Sequence, residues 1–148
     1  EIVFKFNIMK VLPQLIKGKS HTDDRGVLQF NNDFNALGVK RIYSIQNRDT
    51  EFVRGWQGHK IEQRWFSAVQ GSFKIFLIAI DDWVTPSTDL EQYHYVLDAQ
   101  FMDILHVPAG YVSSIQALEE SSKLLLLSDY LLGEIADEYR YDINYFKK

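Results

Sequence analysis

The sequence predicts an all-β fold, a jelly-roll β-barrel or sandwich ending in a short C-terminal helical turn. Three observations carry that prediction. Short runs rich in β-branched and aromatic residues recur along most of the chain, turn-forming residues separate them, and a sustained 3.6-residue apolar repeat is almost absent. Aromatic residues make up 14% of the 148 residues and supply the bulky side chains that a pleated core buries. Many short strands at this spacing fit antiparallel layers rather than alternating βαβ units.

Taken in order, the N-terminal EIVFKFNI alternates in a way that suits a strand added at a sheet edge. The first well-marked strand is 39–46, VKRIYSIQ, followed by an extended segment within 54–63. Further strands are predicted at 65–69, 72–80, 93–97, 101–107, 112–118 and 123–129. Turn signals lie between them: QGS at 70–72, DDW at 81–83, PAG at 108–110 and EESS at 119–122. The segment LLGEIADEY, 131–139, carries the predicted helical turn. No internal repeat, low-complexity tract or Pro/Gly/Ser linker divides the chain, so 1–148 reads as one domain, with an interior suited to a ligand pocket.

Composition excludes several classes of function. The net charge is −4, which argues against the broad basic surface of a nucleic-acid binder but leaves room for a small anion held by two or three arginines. There are no cysteines, hence no disulfide framework, thiolate metal site or cysteine nucleophile, and the composition fits a reducing cytoplasm. Nothing approaches the about 20 consecutive apolar residues that span a bilayer, so no membrane partner is expected. Charges interrupt the N-terminal apolar run, which does not read as a signal peptide, and Met9 fits a native start.

Jelly-roll barrels of the cupin type often bind a metal through two histidines one residue apart, a following glutamate, and a histidine and asparagine beyond a Pro-x-Gly turn. Laid on this chain, the frame is present as Pro108 and Gly110, but the ligand positions hold Gln57, His59, Arg64, Ser113 and Ala117. A divalent ion needs about three or four donor side chains, and a guanidinium repels it. No metal and no other cofactor is expected. In an extended strand Gln57, His59 and Ile61 share one face, with Gly58 and Lys60 on the other. That would set His59 in the barrel interior, where an imidazole with an ordinary pKa of about 6.5 can move protons near neutral pH. The residues alone leave His59 open between that role and a buried structural histidine. They leave Trp56 and Trp65 open between core and stacking platform, and give His21, His94 and His106 only structural or surface roles.

The combination of DDRG at 23–26, VKRIYSI at 39–45, RGWQGHKIEQ at 54–63, VQGSFKIFL at 69–77, VPAG at 107–110, LLLSDY at 125–130 and YRYDINYF at 139–146 resembles the dTDP-4-keto-6-deoxyglucose 3,4-ketoisomerases. These are metal-independent cupins that make 3-keto sugars for surface polysaccharides. It resembles more distantly the dTDP-4-dehydrorhamnose 3,5-epimerases. The isomerase core reads RG-x-HAHK: its second histidine matches His59, and Gln57 replaces the first, which is also where the epimerases place their catalytic base. The resemblance therefore implies a nucleotide-sugar isomerase working through His59, with Gln57, Tyr43 and Tyr130 as further catalytic candidates. It implies Arg25 and Arg54 as contacts of the nucleotide diphosphate, with Arg64 and Lys60 as additional substrate-binding candidates. A homodimer with exchanged N-terminal strands is implied as well. The chain has one residue fewer than usual between His59 and the Glu62-Gln63 pair. Against the enzyme stand a non-catalytic nucleotide-sugar-binding cupin, motivated by Gln57, and a regulatory or storage cupin for an unrelated small acid.

Overall fold

The computed structural model describes residues 10–148; the N-terminal segment EIVFKFNI, expected to add an edge strand, lies outside them. Two five-stranded antiparallel sheets face each other. One runs β1 (Gln14–Ile16), β9 (Ile104–Val107), β6 (Arg64–Gln70), β11 (Lys123–Ser128), β4 (Arg41–Ile45). The other runs β12 (Tyr139–Arg140), β5 (Val53–His59), β10 (Tyr111–Ala117), β7 (Ser72–Ala79), β8 (Tyr93–Asp98). A hairpin of β2 (Lys19–Asp23) and β3 (Gly26–Phe30) pairs only with itself. It is tied to the barrel by Gln29, whose amide donates to the carbonyls of Ala99 and Gln100 at 2.7 and 2.8 Å, and by Asn31, which donates to those of Ile16 and Met102.

From β4 to β12 the chain crosses between sheets at every connection except β7 to β8, the interleaving that makes a cupin-type jelly roll. These crossings depend on tight corners at the predicted turns. At Gly71 the backbone takes φ +68°, and a Cβ there would run into the Ser122 side chain, so only glycine fits the passage from β6 to β7.

The core follows from two-residue alternation. Phe66 and Ala68 of β6, Leu105 and Val107 of β9, and Leu124 and Leu126 of β11 point inward. They meet Phe73, Ile75 and Leu77 of β7, Leu97 of β8, and Tyr111, Ile115 and Ala117 of β10. Each fully buried large side chain contributes about 1.5–3 kcal/mol relative to exposure. A second cluster, Trp56, Ile78, Val112 and Phe146, seals the outer face of the second sheet beneath the C-terminal segment. Trp56 is thus core, with its indole donating to the Ile143 carbonyl at 3.3 Å. Trp65 lies on the outer face of the first sheet, stacked on His106.

Two sequence expectations fail. Residues 131–139 form no helix: Gly133 turns at φ +78°, the Glu134 side chain accepts from the Leu131 amide, and the segment runs extended into β12. Nor does β5 continue to Gln63. It ends at His59, and the chain turns at once, so Ile61 is half exposed rather than aligned with Gln57 and His59.

Candidate active site

The apolar core fills one end of the barrel. At the other, inward positions carry Arg41 and Tyr43 on β4 and Gln57 and His59 on β5, with Glu62 from the β5–β6 turn. Together with residues 131–133 and 135–139 they line an open cavity of about 800 Å³. Position on the strands places them there: Tyr43 lies opposite inward Leu126, His59 opposite inward Tyr111, and Gln57 opposite Ser113. Between Gln57 and His59, Gly58 allows β5 to lie against the Tyr111 backbone, where a Cβ would strike that carbonyl.

Asp137 organises the cavity wall. Its buried carboxylate accepts the successive backbone N–H groups of Lys60, Ile61 and Glu62 at 2.9, 2.8 and 2.8 Å, a small nest built by the turn after β5. Its backbone carbonyl lies 2.9 Å from His59 Nδ1. A carbonyl only accepts, so Nδ1 carries the hydrogen and Nε2 is the nitrogen left to take or give a proton. Burial, and then the positive charge of Arg64, hold the His59 imidazole below its ordinary value, with Glu62 and Asp137 opposing. The balance favours the neutral imidazole, with Nε2 as its basic nitrogen. Glu62 Oε2 lies 3.0 Å from His59 Nε2 without hydrogen-bond alignment and has no hydrogen-bond partner.

Arg41 stacks over the Tyr43 ring, its Cζ 4.6 Å from the ring centroid, and one Nη is 4.0 Å from Glu62 Oε1. Its Nε is buried without a partner, as is Nη2 of Arg64. The Gln57 amide donates to Glu138 at 2.6 Å. Tyr111 is pushed up to about 12, chiefly by burial, and its hydroxyl donates to the Val11 carbonyl.

Of the residues singled out from sequence, His59, Gln57 and Tyr43 come together on the cavity wall. Arg64 lies buried on the inner face of β6 and acts on His59 through its charge. A β-bulge between Ser113 and Ile115 sets Arg54 opposite Ile115, on the same face of β5 as Gln57, but its exposed side chain donates to Asn47 rather than lining the cavity. Lys60 contributes its backbone N–H and points its side chain to solvent. Tyr130 sits half-buried beneath Lys40, outside the cavity lining. Arg25 is exposed on the β2–β3 hairpin and paired with Asp23 at 2.7 Å. Arg41, Glu62 and Asp137 are the residues that sequence reading missed. Arg41 was legible by strand periodicity, two residues before Tyr43, whereas Glu62 and Asp137 depend on the unforeseen turn.

As a metal site the cavity offers two adjacent donors, His59 and Glu62, with the Arg41 and Arg64 guanidiniums nearby. Among the described residues no group of three His, Cys, Asp or Glu is arranged to hold an ion.

The architecture and its histidine-bearing open end define a cupin-type barrel. A family model described as WxcM-like, C-terminal (FdtA) matches residues 11–148, and the chain belongs to that family. A search of curated protein sequences finds no match. Among solved structures, QdtA from Thermoanaerobacterium thermosaccharolyticum, a sugar 3,4-ketoisomerase in complex with TDP, is 25% identical, with a TM-score of 0.67 covering 90% of each chain. WlaRB from Campylobacter jejuni, a TDP-quinovose 3,4-ketoisomerase, is 21% identical, with a TM-score of 0.66 covering 87% of this chain and 92% of that one. The RmlC epimerase of Mycobacterium tuberculosis is 17% identical, with a TM-score of 0.69 covering 86% of this chain and 68% of that one. These last two likenesses are likenesses of fold.

Proposed function

We propose that this chain is a metal-independent sugar-nucleotide isomerase that acts on a dTDP-4-keto-6-deoxyhexose, moving a proton between the carbons at and beside the keto group. The observation that carries this reading is His59: a neutral imidazole with Nδ1 held by the Asp137 carbonyl and Nε2 left as base, on the wall of a cavity large enough for a sugar. Membership of the WxcM-like family and the shared fold with QdtA and WlaRB support it. A ketone acidifies the neighbouring C–H. Nε2 takes the proton from C3, the C–H electron pair forms a C3–C4 double bond, and the carbonyl pair moves onto O4. The resulting imidazolium returns the proton to C4 as the O3–H pair closes the C3 carbonyl, and the proton released from O3 passes to O4, which completes the 3-ketone. No oxidant is consumed. Arg41 and the Tyr43 hydroxyl, on the same wall, are suited to stabilise the enediolate oxygens. Arg54 is suited to the diphosphate at the edge of the barrel, whereas Arg25 enters this reading only through a homodimer in which the β2–β3 hairpin serves a second copy. In this reading the enzyme works in the cytoplasm and supplies deoxysugars for surface polysaccharide.

A second reading, a nucleotide-sugar-binding cupin without turnover, is favoured by one observation. Gln57 stands where the isomerases carry a histidine, and its amide is engaged by Glu138. Incubation with dTDP-4-keto-6-deoxyglucose in deuterated water separates the two. Label entering at C3 or C4, and lost in His59→Asn, supports the isomerase. A melting temperature raised by dTDP without exchange supports the binder, because a ligand of the native state raises apparent stability.

A further inference from the structure

Isomerisation of a 4-ketone to a 3-ketone moves two protons, one between carbons and one between oxygens, and His59 accounts for the first alone. Gln57 cannot carry the second, since an amide side chain does not exchange a proton as an acid or base at neutral pH. Among the carboxylates lining the cavity, Asp137 holds the turn after β5 and Glu138 is engaged by Gln57 and Arg140, whereas Glu62 stands against the His59 ring. It is 6% exposed, it lines the cavity, and its Oε2 stands 3.0 Å from His59 Nε2 with no hydrogen-bond partner. With the Nδ1 hydrogen on the Asp137 carbonyl, a bare Nε2 facing a bare carboxylate oxygen would set two lone pairs against each other. A proton on either atom, Nε2 or Oε2, removes that conflict and gives the pair two exchangeable positions.

We propose that Glu62 is the second proton carrier of the reaction, moving the hydroxyl proton between O4 and O3 while His59 moves the carbon proton. The inference rests on the ketoisomerase reading above. The cycle starts with the shared proton on Glu62 and Nε2 bare. His59 removes the C3 proton, the C–H pair becomes the C3–C4 double bond, and the carbonyl oxygen O4 takes the Glu62 proton to give the neutral enediol. The Glu62 carboxylate then takes the O3 proton, the O–H pair closes the C3 carbonyl, and the double-bond pair takes the proton of the His59 imidazolium at C4. Both side chains end as they began, and no atom or electron is left over. Glu62 thus fills the place vacated by the histidine missing at Gln57, from the turn after the strand instead of from the strand itself.

The test uses the intact protein with dTDP-4-keto-6-deoxyglucose, comparing wild type, E62Q, E62D and H59N for kcat, KM and deuterium uptake. Loss of one general acid-base group is expected to lower kcat by about 100-fold or more in E62Q. KM is expected to change by less than about threefold, since the amide keeps the shape and polarity of the carboxyl. Carbon-bound deuterium exchange should fall less than turnover, because His59 is intact. A kcat within about threefold of wild type, or an effect confined to KM and melting temperature, would overturn the proposal. Should E62Q not fold, E62D decides: a drop in kcat of about tenfold or more supports the role, and an unchanged kcat overturns it. If wild type neither turns over nor exchanges deuterium, the isomerase reading falls and this one with it. If wild type turns over, H59N does not and E62Q matches wild type, this inference alone falls.

Discussion

Asp137→Ala should be the most damaging single change outside the apolar core. The carboxylate accepts three backbone N–H groups, from Lys60, Ile61 and Glu62, at 2.8–2.9 Å, and it is buried. Hydrogen bonds to a charged group contribute about 1.5–3 kcal/mol each, and truncation leaves three donors facing a void. Because the three share one acceptor and the turn can relax to admit water, their sum is not additive, and a loss of about 3–5 kcal/mol is expected. For a chain of this size that lowers the melting temperature by about 10 °C. Urea denaturation followed by tryptophan fluorescence measures it directly, with an unchanged slope indicating that the loss lies in the native state. Asp137→Asn should lose a comparable amount, because its NH₂ would turn one more donor toward three donors. A loss below about 1 kcal/mol in both variants would refute the reasoning that this side chain holds the β5–β6 turn against the C-terminal segment.

The remaining predictions concern the base and its strand. Arg64→Met removes a positive charge that opposes protonation of His59, so the imidazole pKa should rise and the acid limb of the kcat/KM profile should move to higher pH. An unmoved limb, or one displaced to lower pH, would contradict the electrostatic role given to Arg64. Gly58→Ala drives a methyl into the Tyr111 carbonyl, which should cost about 1–3 kcal/mol in denaturant titration and displace the adjacent His59 enough to lower kcat. Wild-type stability and turnover in that variant would mean that β5 and β10 can part without consequence.

Strands that alternate over a buried face were legible in the sequence because alternation is what the core imposes: β4, β6, β7, β8, β10 and β11 fall where β-branched and aromatic runs predicted them. The strands that escaped lack that signature. The hairpin β2–β3 is largely exposed, β1 has three residues and β12 two, and their pairing is decided by distant partners such as Leu105 and Gly58. The predicted helical turn at 131–139 failed because Leu131, Leu132, Ile135 and Ala136 face the cavity rather than packing as one helical stripe, while Gly133 and Asp137 fix the path at either side of Ile135.

The candidate site divides along the same line. His59 and Gln57 were visible as a pattern two residues apart, and Arg41 and Tyr43 obey the same period on the facing strand. Glu62 was hidden because the strand was expected to run on to Gln63. Once the chain turns at Lys60, a residue three positions after His59 comes back against its ring. Asp137 anchors that turn from 75 to 77 residues away, a contact that no local spacing announces.

In the proposed reaction one imidazole passes a proton between C3 and C4 of a 4-keto sugar. Proton NMR of the products formed from dTDP-4-keto-6-deoxyglucose in deuterated water tests it most directly. A 3-keto product is expected, with deuterium confined to C3 of recovered substrate and C4 of product, and no such signal from His59→Asn. Deuterium at C5, which marks epimerisation, or turnover that survives His59→Asn, would contradict it.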